Sequence, residues 1–242
     1  MRRPVPLLIV AALVLAATST THATALEIHQ EEVRIGTSVS GRPILAVHRW
    51  ADGAGRSAVV VGSMHGDERA GLRVVRRLRA AVLPVGVDLW LIATMNPDGT
   101  SADRRTNARG VDLNRNFPQN WVEAGAATAK WSGPSAASEP ETRAMTAFLR
   151  DVRPWTTVVL HQPLYGVDSY RAKSMALVRR LSWETGLPVR RFDCGGGCHG
   201  TLTDWHNSRL DGRAVTIELG RSASDSRVHL VSRAVLRVAT PS

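Results

Sequence analysis

Short apolar runs rich in β-branched residues alternate with stretches of helical spacing, and three of these runs have a histidine or a glutamate at or just beyond their carboxyl ends. Residues 57–62 (SAVVVG), 87–94 (VDLWLIAT), 156–160 (TTVVL) and 214–219 (AVTIEL) have the length and composition of buried strands. Residues 32–36 and 44–48 are weaker candidates. Between the first two runs, residues 70–83 carry Gly71, Val74, Val75, Leu78 and Val82 at helical spacing, with arginines largely on the other face. Residues 138–150 also read as a helix: Ser138 and Glu141 fit a capping box, and Pro140 sits where its missing N–H does no harm. Such alternation predicts a single α/β domain whose mixed, mostly parallel β-sheet is flanked by helices on both faces. In open sheets of this kind a site forms beyond the carboxyl ends of the strands. His65 and Glu68 follow the first run, His161 follows the third, and Glu218 lies at the end of the fourth.

The start of the chain reads as an export signal. Arg2 and Arg3 give a positive beginning, residues 7–17 are an unbroken apolar run of eleven, and Ala23-Thr24-Ala25 is a small-x-small cleavage site. The run is shorter than the ~20 apolar residues a spanning helix needs. Residues 1–25 are therefore expected to be a signal peptide and residues 26–242 the working domain, placed in the bacterial envelope or outside the cell. The formal charge is +10, from 31 basic and 21 acidic residues; without Arg2 and Arg3 it is +8. Only Lys130 and Lys173 are lysines. That skew toward arginine reads either as a GC-rich genome or as attraction to an anionic surface. No nucleic-acid motif and no basic stripe interleaved with aromatics is present, so nucleic acid is set aside as a partner.

The residues at the strand ends carry chemistry. His65 and Glu68 are three apart, so one tight turn can aim both at a point, and Gly66 between them is read as permitting unusual backbone angles. His161 supplies a third donor. Two imidazoles and one carboxylate leave a position open, the donor pattern of catalytic zinc. Taken singly, each of these residues reads equally well as solvated or as bonded to a nearby carbonyl; their joint position at strand ends argues for one Zn2+ per chain. Glu218 closes an apolar strand and is placed to accept a proton from water. The loop from Asn96-Pro-Asp-Gly99 through Arg104-Arg-Thr-Asn-Ala-Arg-Gly-Val-Asp-Leu-Asn-Arg-Asn-Phe-Pro118 gathers arginines around Asn114, among them Arg105, Arg109 and Arg115. A guanidinium offers two parallel donors to a carboxylate, so this loop is a candidate substrate-binding segment, or else a solvated basic loop. Cys194 and Cys198 stand in Cys-Gly-Gly-Gly-Cys. Export favours a disulfide, which would pin a glycine-rich loop; a thiol pair or a second metal site are the alternatives.

Taken together, His65-Gly-Asp-Glu68, Asn96-Pro-Asp-Gly99, Gly110-Val-Asp-Leu-Asn-Arg-Asn-Phe-Pro118, His161 and Thr216-Ile-Glu218 resemble the M14-type zinc carboxypeptidases in order and approximate spacing. The resemblance runs from about residue 57 to residue 220, and Asp112-Leu-Asn-Arg-Asn-Phe-Pro118 is its most specific part. It implies that His65, Glu68 and His161 are zinc ligands and Glu218 the general base. It implies that Arg105, with Arg104 as the fallback, stabilises the oxyanion, and that Asn114 and Arg115 grip a terminal carboxylate. Gly200-Thr-Leu-Thr-Asp-Trp205 resembles the segment lining the pocket for the departing residue. Within the family, Ser138-Glu-Pro-Glu-Thr142 and His161-Gln-Pro-Leu164 resemble the compact bacterial branch of murein peptide amidases, which cleave γ-D-glutamyl-diaminopimelate amides. This implies a peptidoglycan-derived peptide as the substrate; the alternatives are a general carboxypeptidase acting on protein C-termini and a non-catalytic, basic wall-binding protein. One departure concerns the mobile tyrosine that many members carry before the pocket segment. Residues 192–199 (FDCGGGCH) hold none, and His199 or a mobile loop is the candidate substitute.

Overall fold

A computed structural model describes residues 27–195 and 198–240. The expected signal peptide and Gly196-Gly197 of the cysteine loop fall outside them. Eight strands form one sheet in the order β1-β2-β4-β3-β5-β8-β6-β7. The strands are β1 Ile28–Thr37, β2 Pro43–Ala51, β3 Ser57–Val61, β4 Asp88–Ile92, β5 Thr156–His161, β6 Tyr165–Asp168, β7 Val189–Arg190 and β8 Arg213–Leu219. The centre, β4-β3-β5-β8, is parallel. The antiparallel β1-β2 hairpin joins at β4, and β6 joins antiparallel to β8. The expected mixed, mostly parallel sheet is what the chain builds, as a single α/β domain. Both weak strand candidates are real and longer than their apolar cores suggested.

Alternation along the strands sends side chains to two cores. One face holds Val60, Leu91, Val158 and Ile217 beneath α1 (Ala70–Arg79), α4 (Met175–Thr185) and α6 (Asp225–Ala239). The other holds Val59, Val61, Ile92 and Val159 with Met145, Leu149, Leu202 and Trp205 from α3 (Pro140–Val152) and α5 (Leu202–Arg209). Each fully buried Val or Leu contributes roughly 1.5–3 kcal/mol of transfer free energy.

Two helix boundaries differ from expectation. Helix α1 stops at Arg79, short of residue 83. Arg49 of β2, itself buried, donates to the carbonyls of Leu78 (2.7 Å) and Ala81 (2.9 Å), terminating the helix from outside. Pro84 then disfavours helical backbone at the residue before it. The capping box at α3 does not form. The N-cap is Glu139, which makes no side-chain cap bond. Glu141 instead accepts from the Val39 amide (3.0 Å) and the Asn107 side chain (3.2 Å), and Ser138 Oγ donates to Glu139 (2.8 Å). Tertiary partners take both groups away from the helix end. No helix among the described residues is long and apolar enough to cross a membrane.

Candidate active site

The carboxyl ends of β3, β5 and β8 open into a pocket of about 550 Å³. The chain leaves β3 through Gly62-Ser-Met-His65, and this loop is locked by Asn96. The Asn96 side chain accepts from the Gly99 amide (2.9 Å), capping the short helix α2 (Pro97–Ala102), and donates to the carbonyls of Met64 (3.1 Å) and Arg105 (3.2 Å). Asn-Pro-Asp-Gly is thus a clamp that holds the ligand loop and the arginine loop together. Gly66 is needed for a different reason than expected. Its φ is not positive; a Cβ there would lie 1.9 Å from the backbone carbon of Gly99, so the close approach of the two loops demands glycine.

His65, Glu68 and His161 converge, each buried, with their donor atoms within 4.8 Å of one another. His65 Nδ1 lies 2.7 Å from Glu68 Oε1, and His161 Nδ1 lies 2.8 Å from Glu68 Oε2. Burial would raise the Glu68 carboxyl, but His161 and His65 outweigh it and hold the group well below the usual carboxylate range. The second nitrogen of His65 is tied to Asp112, with Nε2 to Oδ1 at 3.0 Å. Asp112 is fully buried. The desolvation that would raise it is overcome by His65, Arg105 and Arg115, so it stays ionised. A carboxylate on the far nitrogen fixes the imidazole's tautomer and leaves Nδ1 free for a metal. Two nitrogen donors and one carboxylate, buried and oriented in this way, fit zinc with one position left open.

Arg105 fills the expected place and Arg104 does not. Arg105 Nε and Nη2 donate to Asp112 Oδ2 (3.0 and 2.7 Å), its Nη1 lies 3.2 Å from His65 Nδ1 and 3.5 Å from Glu68, and it lines the pocket; exposed Arg104 does not line it. Asn114 and Arg115 lie in the short 3-10 turn after Asp112, whose carboxylate caps it through the Asn114 amide (2.9 Å). Arg115 donates to the Asn114 carbonyl (2.7 Å) and to Cys194 Sγ (3.3 Å), and both residues line the pocket. Arg109 is a correction. Its half-exposed guanidinium faces Glu139 at 3.6 Å, away from the pocket, because the Asn107-capped turn points it outward.

Glu218 sits beside His161, its register partner across β5 and β8. Its Oε2 accepts from the Leu164 amide (3.0 Å). Burial pushes the carboxyl above its ordinary value, helped by Glu68 and opposed by His161. Cys194 and Cys198 form a disulfide, and both line the pocket. The thiol-pair and second-metal alternatives for these cysteines therefore fall. His199 is not among the lining residues. The pocket does contain a tyrosine, Tyr170, from the segment between β6 and α4. Asp112, Asp168, Tyr170 and Arg191 carried no assignment from the sequence. Only Asp112 had a signal there, since it opens the most specific motif.

The sequence model of the family described as zinc carboxypeptidase matches residues 19–170. The chain belongs to the M14 zinc carboxypeptidase family. It is similar to murein peptide amidase A of Vibrio campbellii, 32% identical over 207 residues that span 78% of this chain and 79% of that one. The Escherichia coli protein of the same name is 32% identical over 176 residues, covering 62% of this chain and 71% of that one. Among solved structures, murein-tripeptide amidase MpaA from Escherichia coli O157 superposes with a TM-score of 0.73 at 26% identity, covering 87% of this chain and 93% of that one. Carboxypeptidase A from Helicoverpa armigera shares the fold, with a TM-score of 0.72 at 17% identity over 86% of this chain and 69% of that one. As a member of this zinc family the chain is a zinc-dependent metallopeptidase, with His65, Glu68 and His161 as the donor set.

Proposed function

We propose that this protein is an exported murein peptide amidase, hydrolysing the amide between γ-D-glutamate and diaminopimelate in cell-wall peptides. The observation that carries the reading is the pocket itself: a buried His65-Glu68-His161 donor set, a buried carboxylate on the adjacent strand end, and Asn114 with Arg115 on the wall beside them. The murein peptide amidases among its relatives supply the substrate class.

Zinc, when bound, supplies Lewis-acid polarisation and makes water a nucleophile near neutral pH. Asn114 and Arg115 hold the free carboxylate of the leaving residue, placing its amide beside Glu218. Glu218 takes a proton from the attacking water and returns it to the departing amine. Desolvation suits it to both steps, because a carboxyl raised above its ordinary value is a better base than an exposed one. Arg105 faces the developing oxyanion, its position set by the buried carboxylate of Asp112.

The test is hydrolysis of L-Ala-γ-D-Glu-meso-diaminopimelate by zinc-loaded residues 26–242, with Glu218→Gln and a standard C-terminal peptide alongside. Release of diaminopimelate by the wild type only is the expected result. Cleavage of the standard peptide alone would assign a general carboxypeptidase instead, and no cleavage of either would favour a wall-binding protein. Export rests on the Arg2-Arg3 start, the apolar run and Ala23-Thr24-Ala25. Recovery of the chain outside the cytoplasm, with its new amino terminus near Leu26, would test it.

A further inference from the structure

The pocket walls carry five carboxylates: Glu68, Asp168, Asp193, Asp204 and Glu218. Four are already engaged. Glu68 faces the two histidines and Glu218 is the base. Asp204 is held by Arg171 (2.5 Å) and Asn120 (2.7 Å), and Asp193 faces Arg191 at 3.6 Å. Asp168 is the one that neither faces the donor set nor serves as the base, yet has no cationic side chain within ion-pair distance among the described residues. One oxygen, Oδ1, accepts from the amides of Tyr170 (2.8 Å) and Phe192 (3.1 Å), which fixes the carboxylate in place. The other has no hydrogen-bond partner among the described residues.

Its place in the sheet sets its distance from the chemistry. Gly166 of β6 pairs with Glu218 of β8, and Val167 pairs with Ile217. Val167 and Ile217 point into the opposite core, so Gly166, Asp168, Thr216 and Glu218 share the pocket face. Asp168 is therefore two strand positions from the level of the general base, roughly 7 Å along the pocket. An extended side chain running from the reacting amide nitrogen through about six bonds to a distal amine spans roughly the same length. The strand and loop that flank Asp168 also present Arg191. Arg190 pairs with Asp168 in register, and the Arg191 guanidinium lies over the Tyr170 ring at 4.8 Å.

We infer that Asp168 selects a leaving residue with a side-chain ammonium, and that Arg191 pairs with a carboxylate on the same carbon. The inference rests on the murein peptide amidase reading and deepens it: the departing residue is a diamino diacid held at both ends, by Arg115 at the reacting end and by Asp168 with Arg191 at the distal end. Burial raises the empty Asp168 carboxyl, and a bound ammonium would bring it back down by supplying the missing opposite charge.

The test uses three substrates with the same acyl part, L-Ala-γ-D-Glu, and meso-diaminopimelate, lysine or norleucine as the leaving residue. They present an ammonium with a carboxylate, an ammonium alone, and neither. For the zinc-loaded wild type, kcat/KM should fall in that order. D168N keeps a carbonyl oxygen for the two backbone amides and removes the charge. It should lower the diaminopimelate-to-norleucine ratio by about tenfold to a hundredfold. R191Q should lower the ratio of diaminopimelate to lysine. A wild-type rate for norleucine equal to that for diaminopimelate, or a parallel fall on all three substrates in D168N, overturns the inference. If the wild type cuts none of them, the amidase reading fails, and calorimetry with free meso-diaminopimelate then decides the pocket. A Kd weakened in D168N supports the assignment; an absent or unchanged Kd overturns it.

Discussion

The two ends of the pocket are held by different means. At the metal end His65, Glu68, Asp112 and His161 are all buried, and every one of them makes a side-chain hydrogen bond to another member of the group or to Asn114. At the distal end Arg171 and Arg191 are exposed, Tyr170 is half-buried with both guanidiniums over its ring, and the loop beyond is fastened by a disulfide. Buried charges survive only when paired, so the metal end tolerates almost no change. Exposed Arg191 over a ring costs little to move, so on the proposed reading this part of the distal wall can change the leaving residue without disturbing the chemistry. The division says that rate is set at one end and choice of substrate at the other, and it can be broken by experiment.

The largest expected effect is at the metal end. Glu218→Gln should lower kcat by about 10²–10⁴ while zinc stays bound. A smaller loss than D168N causes on the diaminopimelate substrate would reverse the division. As the proposed base, the same carboxyl should also set a pH limb. Its folded pKa is raised, so activity should fall as pH drops through a value above the ordinary 4.5, and that limb should be missing from the residual activity of Glu218→Gln. The sign for stability is opposite. A raised carboxyl favours the folded state while protonated, and that contribution disappears as pH rises through the folded value. Metal-free Glu218→Gln should therefore melt above the metal-free wild type at neutral pH, and equal Tm values would deny that the site holds a costly buried charge.

Asp112→Asn ranks next. It preserves shape but replaces the anion behind His65 and Arg105 with a neutral amide. Zinc affinity should fall by about 10–100-fold in a chelator competition. An unchanged affinity would mean that Asp112 serves Arg105 alone.

The metal end was also the more legible in the sequence, and the reason is physical. His65, Glu68, His161 and Glu218 stand at the ends of apolar strands, where a core has no use for them, so residue type and position together exposed them. Asp112, Asn114 and Arg115 lay within one continuous motif. The distal wall has no such signature. Strand β6 is four residues long, and Asp168 reaches the pocket only through its antiparallel register with β8, a long-range pairing that no local pattern encodes. Tyr170 follows it into the pocket by the same route. The Glu141 misreading has a related cause: a sequence-local capping rule was overridden by Val39 and Asn107, which are distant in the chain. The amphipathic helix α6, with Val228, Val231, Val235 and Val238 buried on one side, carried no assignment from the sequence, and it completes the fold without touching the site.

The smallest predicted effect tests where the two ends meet. Arg115 belongs to the buried motif, yet one of its nitrogens rests on Cys194 of the distal loop, while the other stays on the Asn114 carbonyl. Breaking the disulfide, by reduction or by C194S with C198S, loosens only the first contact. The bridged residues are four apart, so loop closure is worth roughly 2 kcal/mol and Tm should drop modestly. On the proposed reading Arg115 grips the substrate carboxylate equally before and during reaction, and its loosening should then raise KM a few-fold and leave kcat nearly unchanged. A fall in kcat with KM unchanged would place the disulfide's influence on the Arg105-Asp112 side instead, and the boundary between the two ends would then lie beyond Arg115.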